Sequence, residues 1–397
     1  MITSLTIRNF KSIKEIKDLR LDHFHVLVGP NGSGKSTFLD ALQFVRDCVE
    51  TGPKKAVEKR SILDFNDLTY RRQGGVIEFE IVMNGDDFSK EWYGKFISYL
   101  LRVGYSNVVG VCFEFERLIS INKINQSIDV LFVSENDDKV VVNNFDKDSG
   151  FLVLYGNSFF NYMLHGKGGD FEESIGLVKQ LLTQHLRYLQ LDSMAMRLPC
   201  PVTQGSDLAL DGSNLARVVG RLRGETGRKP DKRSRFKQTP ILKAWTRHLQ
   251  YALPDLQAIG WNRREADNAE YLLLKYADGL ECPSWLLSDG TLRMLALTLI
   301  AFLPPTPGVY LIEEPENGVH PKAVEVIIRA LSTVPKAQVF VATHSPLVVQ
   351  QVEPAQLLCF TTGEEGTEII PGSQHPVLQG WDGSPDLATI FASGILG

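Results

Sequence analysis

The sequence predicts an α/β protein: a mixed sheet flanked by helices, carrying an antiparallel β subdomain and a helical insert. Three observations carry that expectation. A short apolar strand runs into a glycine-rich loop and then a helix within residues 25–42. A second strand–helix–strand series occupies residues 285–345. Between them lie short β-rich runs followed by helical ones, so one α/β domain is interrupted by about 200 residues.

The first elements read as strand, strand, loop and helix. Leu5-Thr6-Ile7 alternates and leads into Asn9-Phe10-Lys11-Ser12. His25 to Val28 is a buried-strand run, and Thr37 to Leu42 continues with helical spacing. From Val76 to Gly156 the pattern turns to short β-rich runs separated by Asn, Gly, Asp and Ser. Asn157 to Leu256 reads mainly helical, at Ile175–Leu189, Asn214–Leu222 and Pro240–Leu253. The α/β pattern returns after Trp285, with a helix from Thr291, the strand Val309–Ile312, a helix over Lys322–Leu331 and the strand Val339–Ala342. The expected divisions are 1–84, 85–156, 157–280 and 281–397.

Composition excludes several classes. With 397 residues and 43% apolar content the chain has length for a substantial core. A net charge of -5 gives no bulk attraction to nucleic acid. Five scattered cysteines without a CxxC pair fit a reduced, cytoplasmic protein with neither disulfide framework nor zinc site. The amino terminus lacks a signal-peptide run, and Met294–Leu303 is too short to span a bilayer, so no membrane association is expected. The segment Arg221–Lys237 holds eight basic and two acidic residues and reads as an exposed loop, either simply solvated or in contact with DNA.

Four motifs carry chemistry. Gly29-Pro30-Asn31-Gly32-Ser33-Gly34-Lys35-Ser36 matches the phosphate-binding loop GxxxxGK[ST] in its strand–loop–helix setting. Backbone N–H groups from Asn31, Gly32, Ser33 and Gly34 curl around phosphate, Lys35 reaches the β and γ oxygens, Ser36 ligates Mg²⁺, and Thr37 is placed for the α-phosphate. Val309 to Glu314 is an apolar strand ending in two carboxylates: Glu313 is expected near Mg²⁺ and Glu314 to polarise the attacking water. Leu287-Ser288-Asp289-Gly290-Thr291 opens an apolar helix, whose capped N-terminus, at Ser288 and Gly290, can receive a γ-phosphate offered by a second subunit. Thr343-His344-Ser345 ends the next strand, where His344 can hydrogen-bond phosphate or water. Gln73 is a further candidate for Mg²⁺ or its water, in a loop that also reads as simply solvated.

In this order the motifs resemble those of the ABC-type head ATPases, the structural-maintenance-of-chromosomes (SMC), RecF-like and OLD-family group. Asn9 to Ser12 resembles that group's "NF(K/R)S" element, which implies that Lys11 approaches the phosphates. Glu313-Glu314-Pro315-Glu316, with Gly318-Val319-His320-Pro321, is similar to Walker B plus D-loop, and Leu287–Thr291 to the signature, with Asp289 and Thr291 in place of the more usual Gly and Gln. The sequence departs from the group in having no coiled-coil arms and no CxxC hook, and with about fifty residues after His344 no Toprim nuclease domain is expected. The resemblance implies a P-loop ABC-type head that closes as a homodimer around ATP and Mg²⁺. It further implies a switch controlling a separate effector protein, a nuclease or toxin, in prokaryotic anti-phage defence. The alternatives are a RecF-like clamp contacting DNA through 221–237 and, third, a transporter's nucleotide-binding subunit.

Overall fold

Alternating apolar residues at the amino terminus build β1 (Ile2–Phe10) and β2 (Ile13–Arg20), paired antiparallel, before the fully buried β3 (Phe24–Val28). The computed structural model describes residues 1–87, 92–135, 139–142, 170–224, 235–381, 383–384 and 386–396. After the glycine loop come α1 (Lys35–Thr51) and α2 (Pro53–Glu58). The β-rich runs form β4 (Ile77–Asn84), β5 (Lys95–Ser106), β6 (Gly110–Asn122), β7 (Ile128–Glu135) and β8 (Lys139–Val142), each antiparallel to the last. They extend outward from β1, so they continue the main sheet.

The middle of the chain holds α3 (Asp170–Thr183), β9 (Leu186–Leu189), α4 (Ser193–Arg197), α5 (Leu215–Leu222) and α6 (Pro240–Leu249). One expectation is corrected here. The helix read through Leu189 stops at Thr183, and Leu186–Leu189 becomes a strand parallel to the carboxylate strand. Four residues are too few for a periodicity to separate strand from helix. A second sheet, β10 (Leu256–Arg263), β11 (Glu270–Tyr276) and β12 (Glu281–Pro283), adds β structure to the stretch expected to be helical.

The carboxyl-terminal part runs α7 (Asp289–Leu299), β13 (Gly308–Glu313), α8 (Pro321–Leu331), β14 (Ala337–Ala342), α9 (Pro346–Val349), β15 (Leu357–Gly363), β16 (Gly366–Pro371) and α10 (Leu387–Ala392). Among the described residues the main sheet has 13 strands in the order β8-β7-β6-β5-β4-β1-β2-β16-β15-β3-β14-β13-β9. Its β15-β3-β14-β13-β9 portion is parallel.

Parallel strands buried on both faces need apolar residues at successive positions, and these have them. Leu27, Leu311 and Phe340 point into the core shared with α1. Val26, Val28, Ile312, Val339 and Val341 point into the core shared with α5 to α8 and the second sheet. Buried Gln338 on β14 ties that strand to the start of β1: its amide donates to Ile2 O at 2.9 Å and accepts from Ile2 N at 3.1 Å. Trp245 on α6 donates to Thr298 Oγ1 on α7 at 2.9 Å, satisfying the indole inside the second core.

Candidate nucleotide-binding site

Strand register brings the motifs together. Leu27 on β3 lies opposite Ala342 on β14, and Ala342 opposite Glu313 on β13. At the usual strand spacing that row spans about 10 Å, and the chain leaves all three strands at the same, carboxyl-terminal edge. The segments that begin at Gly29, Thr343 and Glu314 therefore leave the sheet along one edge, the edge at which open α/β sheets bind ligands.

The loop is built tightly. A Cβ on Gly29 would lie 2.2 Å from Phe360 O, and one on Gly34, at φ 104°, 2.2 Å from Thr367 Oγ1. Both positions thus exclude side chains because β15 and β16 press on them. Gly34 caps α1, whose first N–H groups have no side-chain acceptor. Lys35 is 5% exposed, and its ammonium donates to the loop's own carbonyls, Gly29 O at 2.7 Å and Pro30 O at 2.9 Å. Burial lowers its pKa to about 8, against the opposing pull of Glu313 and Glu314. The carboxylates are thus close enough to be felt at the ammonium. Ser33 Oγ is buried without a hydrogen-bond partner among the described residues. Asn31, Gly32 and Ser36 are exposed. Thr37 Oγ1 accepts from Ser12 Oγ at 3.2 Å, and Ser12 accepts from Thr367 at 2.9 Å.

The two acids differ in setting. Glu313 is half-buried and accepts from the Tyr188 hydroxyl at 2.8 Å. Burial, reinforced by this bond, pushes the Tyr188 phenol up to about 12, so it remains a donor. Glu314 is exposed and has φ 46°, a left-handed conformation that costs a side-chain-bearing residue about 1–3 kcal/mol. Its amide donates to Ala342 O at 2.8 Å, and Oε2 accepts from Asn317 Nδ2 at 3.3 Å. His344 is exposed just beyond β14.

The remaining candidates lie in distinct places. Ser288 caps α7, accepting from Thr291 N at 3.2 Å, and Asp289 pairs with Arg197 at 2.5 Å. Gly290 packs on the turn after β13; a Cβ there would meet Gly318 O at 2.5 Å. Lys11, at φ 50°, forms an ion pair with Asp40 of α1 at 2.6 Å, and Asp40 also binds Arg60. Gln73 is exposed, in a loop pinned by Asn9, whose amide group donates to Gly74 O and Val76 O and accepts from Tyr70 N. Of the basic segment 221–237, residues 225–234 lie outside the described residues. Its flanks are paired, Arg221 with Asp207 and Arg235 with Glu281, each at 2.7 Å.

Sequence reasoning missed Tyr188, because the four-residue strand carrying it was read as helix. Thr343 and Glu316 were quoted within motifs but given no task. Their bond, 2.6 Å from Thr343 Oγ1 to Glu316 Oε1, joins segments 27 residues apart.

The buried Ser33 hydroxyl, without a partner among the described residues, and the Lys35 ammonium resting on loop carbonyls fit a nucleotide's phosphates. Among the described residues no group of three or more His, Cys, Asp or Glu could hold a metal ion by itself. Comparison with known folds agrees. The Smc head bound to the C-winged helix domain of ScpA superposes with a TM-score of 0.53, at 13% identity, covering 93% of this chain and 96% of that one. The Pyrococcus furiosus Smc head domain with an extended coiled coil, bound to the C-terminal domain of ScpA, gives 0.51 at 12% identity, covering 93% and 95%. The chain has the fold of an SMC-like ATPase head. A model described as "AAA ATPase domain" matches residues 1–149 of the head, and one described as "AAA domain, putative AbiEii toxin, Type IV TA system" matches 206–350. No curated protein matches by sequence. No described helix of the head is long and apolar enough to cross a membrane.

Proposed function

We propose that the chain is an ATP-hydrolysing switch that dimerises head to head around ATP and controls a separate effector, in prokaryotic anti-phage defence. The observation that carries the hydrolytic reading is the meeting of Lys35 with Glu313 and Glu314 at one sheet edge. In this reading Lys35 leaves its two carbonyls for the β- and γ-phosphates. Glu314 accepts the proton of the attacking water, and its fixed, left-handed backbone aims the carboxylate. His344 donates to the γ-phosphate. Ser36 and Glu313 hold Mg²⁺, with Gln73 as a further ligand through water, and the ion supplies charge neutralisation when bound. Lys11 exchanges Asp40 for phosphate.

Dimerisation follows from the exposed Ser288 at the tip of α7, which offers N–H groups and a positive dipole end to a second copy's γ-phosphate. The toxin–antitoxin name of the model matching 206–350 supports the defence reading. Among the described residues of the basic segment Arg221 and Arg235 are ion-paired, while exposed Lys237 is the charge that the DNA-clamp alternative would use.

The test is a pull-down of Glu314→Gln from its native cells with ATP present, analysed for protein and nucleic acid together. A stoichiometric nuclease or toxin supports the switch. DNA without a protein partner supports the repair clamp instead.

A further inference from the structure

We propose that Glu316 and Thr343 form a latch that positions His344 relative to Glu314 and the phosphate loop, making Glu316 a positioning residue for hydrolysis. Its role in turnover rests on the ATPase reading above; its geometry does not. Thr343 is fully buried at the end of β14. Its amide donates to Leu27 O, on the strand that delivers the loop, at 3.2 Å. Its hydroxyl donates to Glu316 Oε1 at 2.6 Å and accepts from Ser345 N at 2.9 Å. One residue thus joins the loop strand through its amide, and the turn after the two carboxylates and the cap of α9 through its hydroxyl.

His344 lies between the two residues held through that hydroxyl, while its own side chain is exposed. The turn is fixed in parallel: Glu314 N donates to Ala342 O at 2.8 Å, and Val319 N donates to Glu316 O at 3.0 Å. Breaking the latch therefore frees His344 to move against Glu314 without touching the loop's N–H groups. A carboxylate acceptor makes the threonine bond strong and short. Glu316 Oε2 is buried with no hydrogen-bond partner among the described residues. A purely structural staple would not need that second, unsatisfied oxygen, since an amide or hydroxyl would bind Thr343 as well.

The test uses the full chain as wild type, Glu316→Ala, Thr343→Val, the double variant, and Thr343→Ser, which keeps the hydroxyl. Four quantities are read: phosphate release, affinity for a fluorescent ATP analogue, thermal midpoint, and the His344 imidazole NMR resonance without nucleotide. Each single variant is expected to lose tenfold or more in kcat, with nucleotide affinity within twofold of wild type and a shifted His344 resonance. The double variant should fall no further than the worse single one, because each single change already removes the Glu316–Thr343 bond. Thr343→Ser should recover at least a third of turnover. Folded single variants that turn over at the wild-type rate, leave the resonance in place, or multiply their losses in the double variant overturn the latch. Should Glu316→Ala not fold, Glu316→Asp, one methylene shorter, carries the same expectations. Wild-type protein that binds ATP without hydrolysing it defeats the ATPase reading alone; the His344 resonance then decides the latch.

Discussion

Lys35 shows how burial shapes a binding group. With its pKa lowered to about 8, the free site loses the ammonium at mildly alkaline pH, whereas bound phosphates favour the charged form. Binding above pH 8 must then take up a proton, and affinity falls as pH rises. ATP affinity should be flat below pH 7.5 and about tenfold weaker at pH 9 than at pH 7, measured with a fluorescent analogue. Equal affinity at pH 7 and pH 9 would contradict the lowered pKa. Tyr188 supplies a second expectation. Tyr188→Phe removes the 2.8 Å donor to Glu313, so the Mg²⁺ concentration giving half-maximal hydrolysis should rise about tenfold with little loss of stability. An unchanged Mg²⁺ titration would mean that Tyr188 does not orient Glu313. The loop residues and both carboxylates were legible because their chemistry demands fixed spacing along the chain. Tyr188 was not, because its partner lies 125 residues away and only strand pairing brings them together.

The elements position these groups through contacts that periodicity does not reveal. Helix α7 was readable from its cap and its apolar stripe, and Ser288 does cap it. What its spacing could not reveal is that Gly290 lets the helix tip sit on the turn after β13. Gly290→Ala places a Cβ 2.5 Å from Gly318 O, a backbone atom. The tip must shift, at a cost of about 1–3 kcal/mol. Lower thermal stability together with weaker ATP-dependent self-association is the expected outcome. Wild-type values of both would show that the contact is dispensable. Strand β9 shows the opposite case. Its four residues, Leu186 to Leu189, follow a true helix closely enough to continue an apolar pattern, so tertiary pairing with β13 decides their state.

At the scale of the molecule, the split α/β domain was visible from motif order alone: the phosphate loop near the start, the carboxylates and histidine near the end. The path between them was less legible. Antiparallel strands β4 to β8 extend the main sheet beyond β1, and the segment around 256–283 forms its own small sheet. Within each group consecutive strands pair as hairpins, but the attachment of β4 to β1 joins residues some 70 apart, for which a local pattern holds no information. In the proposed reading the head gathers its nucleotide groups at one sheet edge and offers the exposed Ser288 cap to a second copy, so ATP should glue two heads together. The most direct test compares wild type, Lys35→Ala and Glu314→Gln by sedimentation and phosphate release, each with and without ATP and Mg²⁺. Wild type should hydrolyse ATP, Lys35→Ala should neither bind it nor dimerise, and Glu314→Gln should accumulate as an ATP-bound dimer with turnover reduced at least tenfold. A Glu314→Gln protein that stays monomeric with saturating ATP, or turns over at the wild-type rate, would contradict the account.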